Sequence, residues 1–135
     1  MKDKRVLVTG SGTGIGREIG LEFAREGASV VFHYAHSEDG AASAVKEARQ
    51  IGSRAEVFRA DFNDVASVKN LAEQSIEFLG GLDILVNNAG ITMNLPFEKV
   101  TPEQFDTLYN VNIRSMFFLT QATLSSLLES NGVVI

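Results

Sequence analysis

Apolar residues along this chain follow two alternating rhythms. Short runs such as Val6-Leu7-Val8 and Val30-Val31-Phe32 are rich in branched and aromatic side chains and lack clean in/out alternation, as expected of parallel strands covered on both faces. Between such runs the apolar positions recur at steps of three and four, the spacing of one helix face. The pattern predicts strands at residues 5–9, 29–34, 55–60 and 82–86, with a fifth opening at Val133. It predicts helices at 14–26, at 38–51, from a cap at Asn63 or Asp64 to Gly80-Gly81, and at 101–129. Gly27 and Gly52 stand where left-handed residues close helices. Strands alternating with helices imply βαβ units, and right-handed crossovers then give a doubly wound parallel sheet in the order 3-2-1-4-5.

The helical patterns also indicate what each helix buries. The first is expected to bury Ile15, Ile19, Phe23 and either Leu21 or Ala24; the third, Val65, Val68, Ala72, Ile76 and Leu79. The last opens with Thr101-Pro102-Glu103-Gln104, which joins an N-cap threonine, a proline at the first helical position and a glutamine three residues past the cap. From Phe105 to Leu128 it carries more apolar residues than one face on a sheet can hide. A larger domain or a second subunit is therefore expected to cover the remainder. Asn110 and Asn112 lie inside it, where asparagine costs roughly 0.5 kcal/mol relative to alanine, so a local irregularity or a bound water is expected. With two helices on each face, the fourth and fifth strands are expected to be bare on the side of the first two.

Composition narrows the possibilities. At 135 residues, 44% hydrophobic and with a mean hydropathy of +0.05, residues 1–135 read as a single soluble domain. A net charge of −5 leaves no basic surplus to displace counterions from a phosphate backbone, so nucleic acid is not an expected partner. Without cysteine, and with only two histidines, neither a disulfide nor a His/Cys metal site is expected. The basic start at Met1-Lys2 is followed by too short an apolar run for a signal peptide, and no stretch approaches the ~18 apolar residues of a membrane span; the cytoplasm is the expected location.

The candidate chemistry begins at Thr9-Gly10-Ser11-Gly12-Thr13-Gly14-Ile15-Gly16, directly after the first strand and opening the first helix. Glycines are needed where a tight strand-to-helix turn visits positive φ and the backbone must approach a diphosphate closely. Asn87-Asn88-Ala89-Gly90 ends the fourth strand, and the strand order makes it the neighbour of that turn across the crevice where such folds bind ligands. An acidic residue about 20 residues beyond the glycines would bind the ribose 2′-hydroxyl of NAD; here Tyr34-Ala35-His36-Ser37 offers none. A 2′-phosphate meets no like charge, and His36 and Ser37 can donate to it, which tilts the choice toward NADP over NAD. Thr13 in place of a basic residue, with Glu38 and Asp39 close by, weakens that tilt. The plainer reading of both histidines, favoured for His33, is solvated strand-end residues.

The spacing Thr-Gly-x-x-x-Gly-x-Gly, together with Asn-Asn-Ala-Gly, resembles the short-chain dehydrogenase/reductase family, with a pattern similar to its 3-oxoacyl-ACP reductase-like and glucose dehydrogenase-like members. The resemblance implies a Rossmann-type fold and hydride transfer between a nicotinamide cofactor and a small carbonyl or alcohol substrate. It implies that Gly10, Gly14 and Gly16 hold the cofactor's diphosphate, with Ser11, Gly12, Thr13 and Ile15 as further cofactor-binding residues of the turn, and that Asp61 and Phe62 meet the adenine, with helix capping as the rival role for Asp61. It places Asn88, Ala89 and Gly90 beside the centre of the cofactor and makes Asn112 the catalytic asparagine that holds a relay water. A homo-oligomer formed through residues 101–129 is expected.

The family's reaction also needs a serine, a tyrosine and a lysine four residues after that tyrosine, and none can be assigned. The residues four beyond Tyr34 and Tyr109 are Glu38 and Ile113. Because Val133-Val134-Ile135 reads as the opening of a buried strand, the chain is expected to be the amino-terminal portion of a longer fold, incomplete on its carboxyl-terminal side and inactive alone. The alternative is a non-enzymatic nucleotide-binding module or partner subunit, whose coding sequence would stop after Ile135.

Overall fold

A computed structural model describes all residues 1–135. Five parallel strands, β1 (Arg5–Val8), β2 (Ser29–Tyr34), β3 (Ala55–Arg59), β4 (Ile84–Val86) and β5 (Val133–Val134), form one sheet in the order β3-β2-β1-β4-β5. Helices α1 (Gly14–Arg25) and α2 (Glu38–Gln50) cover one face; α3 (Val65–Leu79) and α5 (Ser115–Glu129) cover the other. The order follows from right-handed crossovers leaving β1 in both directions, which puts the carboxyl ends of β1 and β4 side by side.

Two apolar clusters hold the layers. Val6, Val8, Val30 and Phe32 point toward α1 and α2, whereas Leu7, Val31 and Leu85 point toward α3 and α5. Each fully buried side chain of this size contributes about 1.5–3 kcal/mol. Gly20 lets α1 lie against the Phe32 ring, where any Cβ would collide. On the other face α5 buries Ser115, Leu119, Thr123 and Leu127, one residue per turn, and α3 buries Ala72 and Ser75; small residues bring these two helices close.

Several expectations change. Ile15 points into solvent, 77% exposed, on the outer side of a first turn that packs inward through Gly16; Gly16, Gly20, Leu21 and Ala24 are the buried positions, with Ile19 and Phe23 partly covered. Leu71 and Ser75 join Val68, Ala72 and Leu79 inside α3, while Val65 and Ile76 stay at the margin. Asp64, not Asn63, caps α3 by accepting from the Ala66 and Ser67 N–H groups. The fourth strand is not bare: Ile84 and Val86 are buried in the same cluster as Leu21 and Ala24 of α1. Only β5 is exposed. The last helix is interrupted: α4 (Pro102–Tyr109), with the expected Thr101–Gln104 capping box, passes through a π-turn at Asn110–Arg114 before α5. A π-turn accommodates the two asparagines that fit poorly in regular helix.

Beneath the site, Arg5 and Asp83 tie β1 to the start of β4. The Arg5 main-chain N–H and Nε donate to Asp83 Oδ2 at 2.9 and 2.8 Å, and the Arg5 guanidinium holds the Asp83 carboxyl below the usual carboxylate range. Asp83→Ala should cost about 2 kcal/mol, between the values for exposed and fully buried pairs, as read by urea denaturation at neutral pH. Since the folded value is depressed, this stabilisation is present above the unfolded carboxylate range and fades as pH falls through the folded value.

Candidate cofactor site

After β1 the chain is pinned to both neighbouring strands. The Thr9 N–H donates to the Val86 carbonyl at 3.0 Å, and Thr9 Oγ1 accepts the Ala89 N–H at 3.0 Å. Gly10 follows at φ +62°, a conformation L residues rarely adopt, and a Cβ there would lie 2.8 Å from Ala89 Cα. Its peptide groups are held at both ends: the carbonyl accepts from Asn88 Nδ2 at 3.2 Å, and the N–H donates to His33 Nδ1 at 3.0 Å. Asn88 Nδ2 also donates to the Thr9 carbonyl at 2.9 Å. The two motifs that are 80 residues apart in sequence are thus one hydrogen-bonded unit.

The carboxyl ends of the strands open into a cleft of about 240 Å³ lined by Gly10, Gly12, Thr13, His33 through Ser37, Phe62, and Asn88 through Ile91. Larger hollows on the outer surfaces of α1 and α2 are shallow and lie away from the strand ends, where switch-point ligands are not bound. Thr13 is the N-cap of α1, yet its side chain caps nothing, and Ser37 at the start of α2 is likewise unengaged. The amino-terminal N–H groups of α1 therefore have no side-chain acceptor. Gly14 is at φ +58°, and no atom lies within 4 Å of where its Cβ would be. The cradle is open at Gly14 and tightly packed at Gly10, Gly12 and Gly16, the arrangement required by an anion resting on backbone amides.

Of the residues singled out in the sequence, Gly10, Gly12, Thr13, His36, Ser37, Phe62, Asn88, Ala89 and Gly90 line the cleft. Ser11 lies beneath it, its hydroxyl donating to the Val8 carbonyl at 2.7 Å. Gly16 is packed behind Asn88, whose amide occupies the space a Cβ would need. Gly14 and Ile15 do not line the cleft; they border the separate shallow hollow on the outer face of α1. Asp61 does not cap α3: its Oδ1 accepts the Asn63 N–H at 2.9 Å and Nδ2 at 3.1 Å, and these bonds hold its carboxyl below the ordinary value. Its Oδ2 takes no bond from the protein. Asn112, in the π-turn, closes the far side: its Oδ1 accepts the Ile91 N–H at 2.8 Å and its Nδ2 donates to the Ile91 carbonyl at 2.9 Å. The Asn112 amide thus holds the segment after Gly90 through one accepted and one donated bond.

His33 overturns the expectation of a solvated residue. It is 2% exposed, parallel to the Phe62 ring at 4.3 Å, and bonded at both ring nitrogens, with Nε2 3.1 Å from the Ala60 carbonyl. Burial pushes its pKa down to about 4. Sequence offered one hint, its place in a strand flanked by buried neighbours; nothing local to His33 names Gly10 or Ala60 as partners. Asn87 was not singled out for its own environment either: its Oδ1 is the one buried side-chain polar atom without a hydrogen-bond partner.

This geometry is that of a nucleotide-binding α/β fold, and comparison with known proteins specifies it. The profile of the short chain dehydrogenase family matches residues 4–135; the chain belongs to that family. It is 39% identical over 132 residues to the hydroxynaphthalene reductase-like protein Arp2 of Metarhizium anisopliae, covering 98% of this chain and 49% of that protein. It is 36% identical over 132 residues to the tetrahydroxynaphthalene reductase PfmaG of Pestalotiopsis fici, covering 98% and 48%. The chain spans about half the length of the curated relatives it matches. Among solved structures, a short chain dehydrogenase from Burkholderia cenocepacia in complex with NADP superposes with a TM-score of 0.91 at 38% identity, over 93% of this chain and 51% of that one. A blue fluorescent protein from a metagenomic library in complex with NADPH gives 0.89 at 38% identity, over 93% and 51%. No helix is long and apolar enough to cross a membrane.

Proposed function

We propose that this chain is the cofactor-binding part of a cytoplasmic NADP-dependent oxidoreductase that moves hydride between nicotinamide and a carbonyl or alcohol carbon of a small substrate. The observation that carries the reading is the uncapped first turn of α1 opening onto the cradle that Asn88 and His33 hold in place. A dinucleotide diphosphate meets free N–H groups and the positive end of the helix there, with Gly14 giving it room. Phe62 offers the adenine a ring edge, and Asp61 Oδ2 offers it a free acceptor. His36 and Ser37, exposed beside the unengaged start of α2, favour a 2′-phosphate over a bare hydroxyl. The NADP and NADPH held by two structural relatives support the same preference. When bound, the nicotinamide supplies the hydride.

Asn112 positions the segment after Gly90 through Ile91, and the second N–H and remaining lone pair of its amide are the groups that would hold a relay water. The chain's two tyrosines have no lysine four residues on; it therefore binds cofactor without turning over carbonyl substrate by itself. Titration of the chain with NADPH and NADH, followed by nicotinamide fluorescence, should saturate with NADPH tighter by about tenfold, a difference of about 1.4 kcal/mol. Absence of any saturable binding would remove the proposal, and tighter NADH would remove the NADP assignment.

The outer face of α4 and α5 carries Tyr109, Ile113, Phe117, Leu124 and Leu128 in solvent, with Phe117 62% and Leu128 70% exposed. This apolar face supports a homo-oligomer formed through residues 101–129. Sedimentation of the chain should show a concentration-dependent dimer or tetramer that Phe117→Glu dissociates; a monomer at all concentrations would remove the assignment.

A further inference from the structure

We propose that His33 is a positioning residue for the cofactor: its neutral ring, with Nδ1 as acceptor, sets the orientation of the Gly10 peptide and so the shape of the diphosphate cradle. The proposal rests on the functional reading above but concerns a residue that reading does not use. Three bonds hang the turn on His33, and a fourth anchors its ring to the end of β3. Its main-chain N–H donates to Ser11 Oγ at 2.9 Å, its carbonyl accepts the Ser11 N–H at 2.9 Å, Nδ1 accepts the Gly10 N–H at 3.0 Å, and Nε2 meets the Ala60 carbonyl at 3.1 Å. Since Gly10 N–H can only donate and Ala60 carbonyl can only accept, the ring must carry its proton on Nε2. The imidazole therefore bridges the turn after β1 and the end of β3 with both nitrogens satisfied, and the Phe62 ring fixes its plane.

No charged group competes for the ring. β1 and the Gly10–Ser11 turn supply no titratable side chain against it, and α3 presents Val68, Leu71 and Ala72 on this face. The titratable residues next to it along the chain, Tyr34 and His36, and Asp61 after its partner Ala60, make no bond to the ring, and Asp61 Oδ1 is turned to Asn63. The hold on Gly10 is thus a neutral hydrogen bond in a dry setting, where an unmade partner is expensive. Phe32 and Tyr34 flank His33 in sequence but offer no acceptor at this position.

Two variants separate positioning from packing. His33→Asn keeps an acceptor near the place of Nδ1 but loses the stack on Phe62 and the bond to Ala60. His33→Phe keeps the ring and the stack but leaves Gly10 N–H without an acceptor. NADPH titration of the full chain is expected to leave H33N within about threefold of wild type and to weaken H33F by about tenfold, although thermal unfolding ranks H33F as the more stable. A purely structural role makes affinity follow stability, and H33F binding as well as wild type, or H33N binding worse than H33F, would overturn the proposal. Two-bond nitrogen–proton NMR spectra of the cofactor-free chain provide a second readout: a protonated Nδ1 would overturn it without any reference to binding. If wild type binds neither nucleotide, the functional reading fails and this inference fails with it; if wild type binds and H33F matches it, only this inference fails.

Discussion

Gly16→Val is expected to weaken NADPH binding by about 100-fold, equivalent to ~2.7 kcal/mol, and to lower stability by about 2 kcal/mol. A Cβ at position 16 would enter the space of Asn88 Nδ2 and stand 2.6 Å from the Gly10 carbonyl. Both are parts of the clamp joining the two motifs, and neither is the free end of a flexible chain, because Asn88 is bonded to Thr9 and Gly10. Gly14→Ala is the control. It meets no protein atom within 4 Å, so it should cost only the ~1–2 kcal/mol of holding alanine at φ +58°, yet its methyl group would stand where the proposed binding mode puts the diphosphate. Fluorescence titration beside urea denaturation reads both effects for each variant. A G14A chain that binds NADPH like wild type would move the diphosphate out of this cradle.

The second large effect is one of pH. His33 has an ordinary value near 6.5 when unfolded and about 4 in the fold, where burial disfavours its charged form. Between those values the unfolded chain binds a proton that the folded chain refuses, so this group's stabilisation is complete above pH 6.5 and declines as pH falls toward 4. Its full loss is about 3 kcal/mol. Denaturation at pH 7 and at pH 4.5 should show the wild type losing about 2–3 kcal/mol more than His33→Asn, which has no imidazole to titrate. The Asp83 carboxylate weakens in acid in both chains, so it cancels from the difference. Equal acid sensitivity in the two would mean that the imidazole is open to solvent.

What the sequence made legible was whatever depends on local pattern and chain order. The strand order follows from βαβ alternation, the Thr101–Gln104 capping box from four adjacent residues, and the disturbance near Asn110 and Asn112 from a poor fit to helix. What stayed hidden depends on partners distant along the chain. Periodicity put Ile15 inside the core, but it could not register that the first turn of α1 packs through Gly16 against Asn88 and Gly10, which leaves Ile15 facing outward. His33 read as a strand-end residue because its partners, Gly10 and Ala60, lie 23 and 27 residues away on either side. The juxtaposition of the two motifs was legible through topology. The atoms that join them were not, since which side chain donates to which carbonyl is decided by register between β1 and β4.

The wide turn at Asn110–Arg114 puts the two halves of the last helix out of phase. One residue more than an α-turn requires rotates everything beyond it by about 100°, and it is with this extra residue in place that Tyr109, Ile113 and Phe117 line one outer hollow. Losing a single residue there would restore regular winding. It would also swing the Asn112 amide away from Ile91 and re-aim the apolar outer surface of α4 relative to α5 in the same event. A length change at this point therefore cannot alter the cleft and leave the outer surface intact, which makes this stretch far less tolerant of insertions and deletions than its exposure suggests.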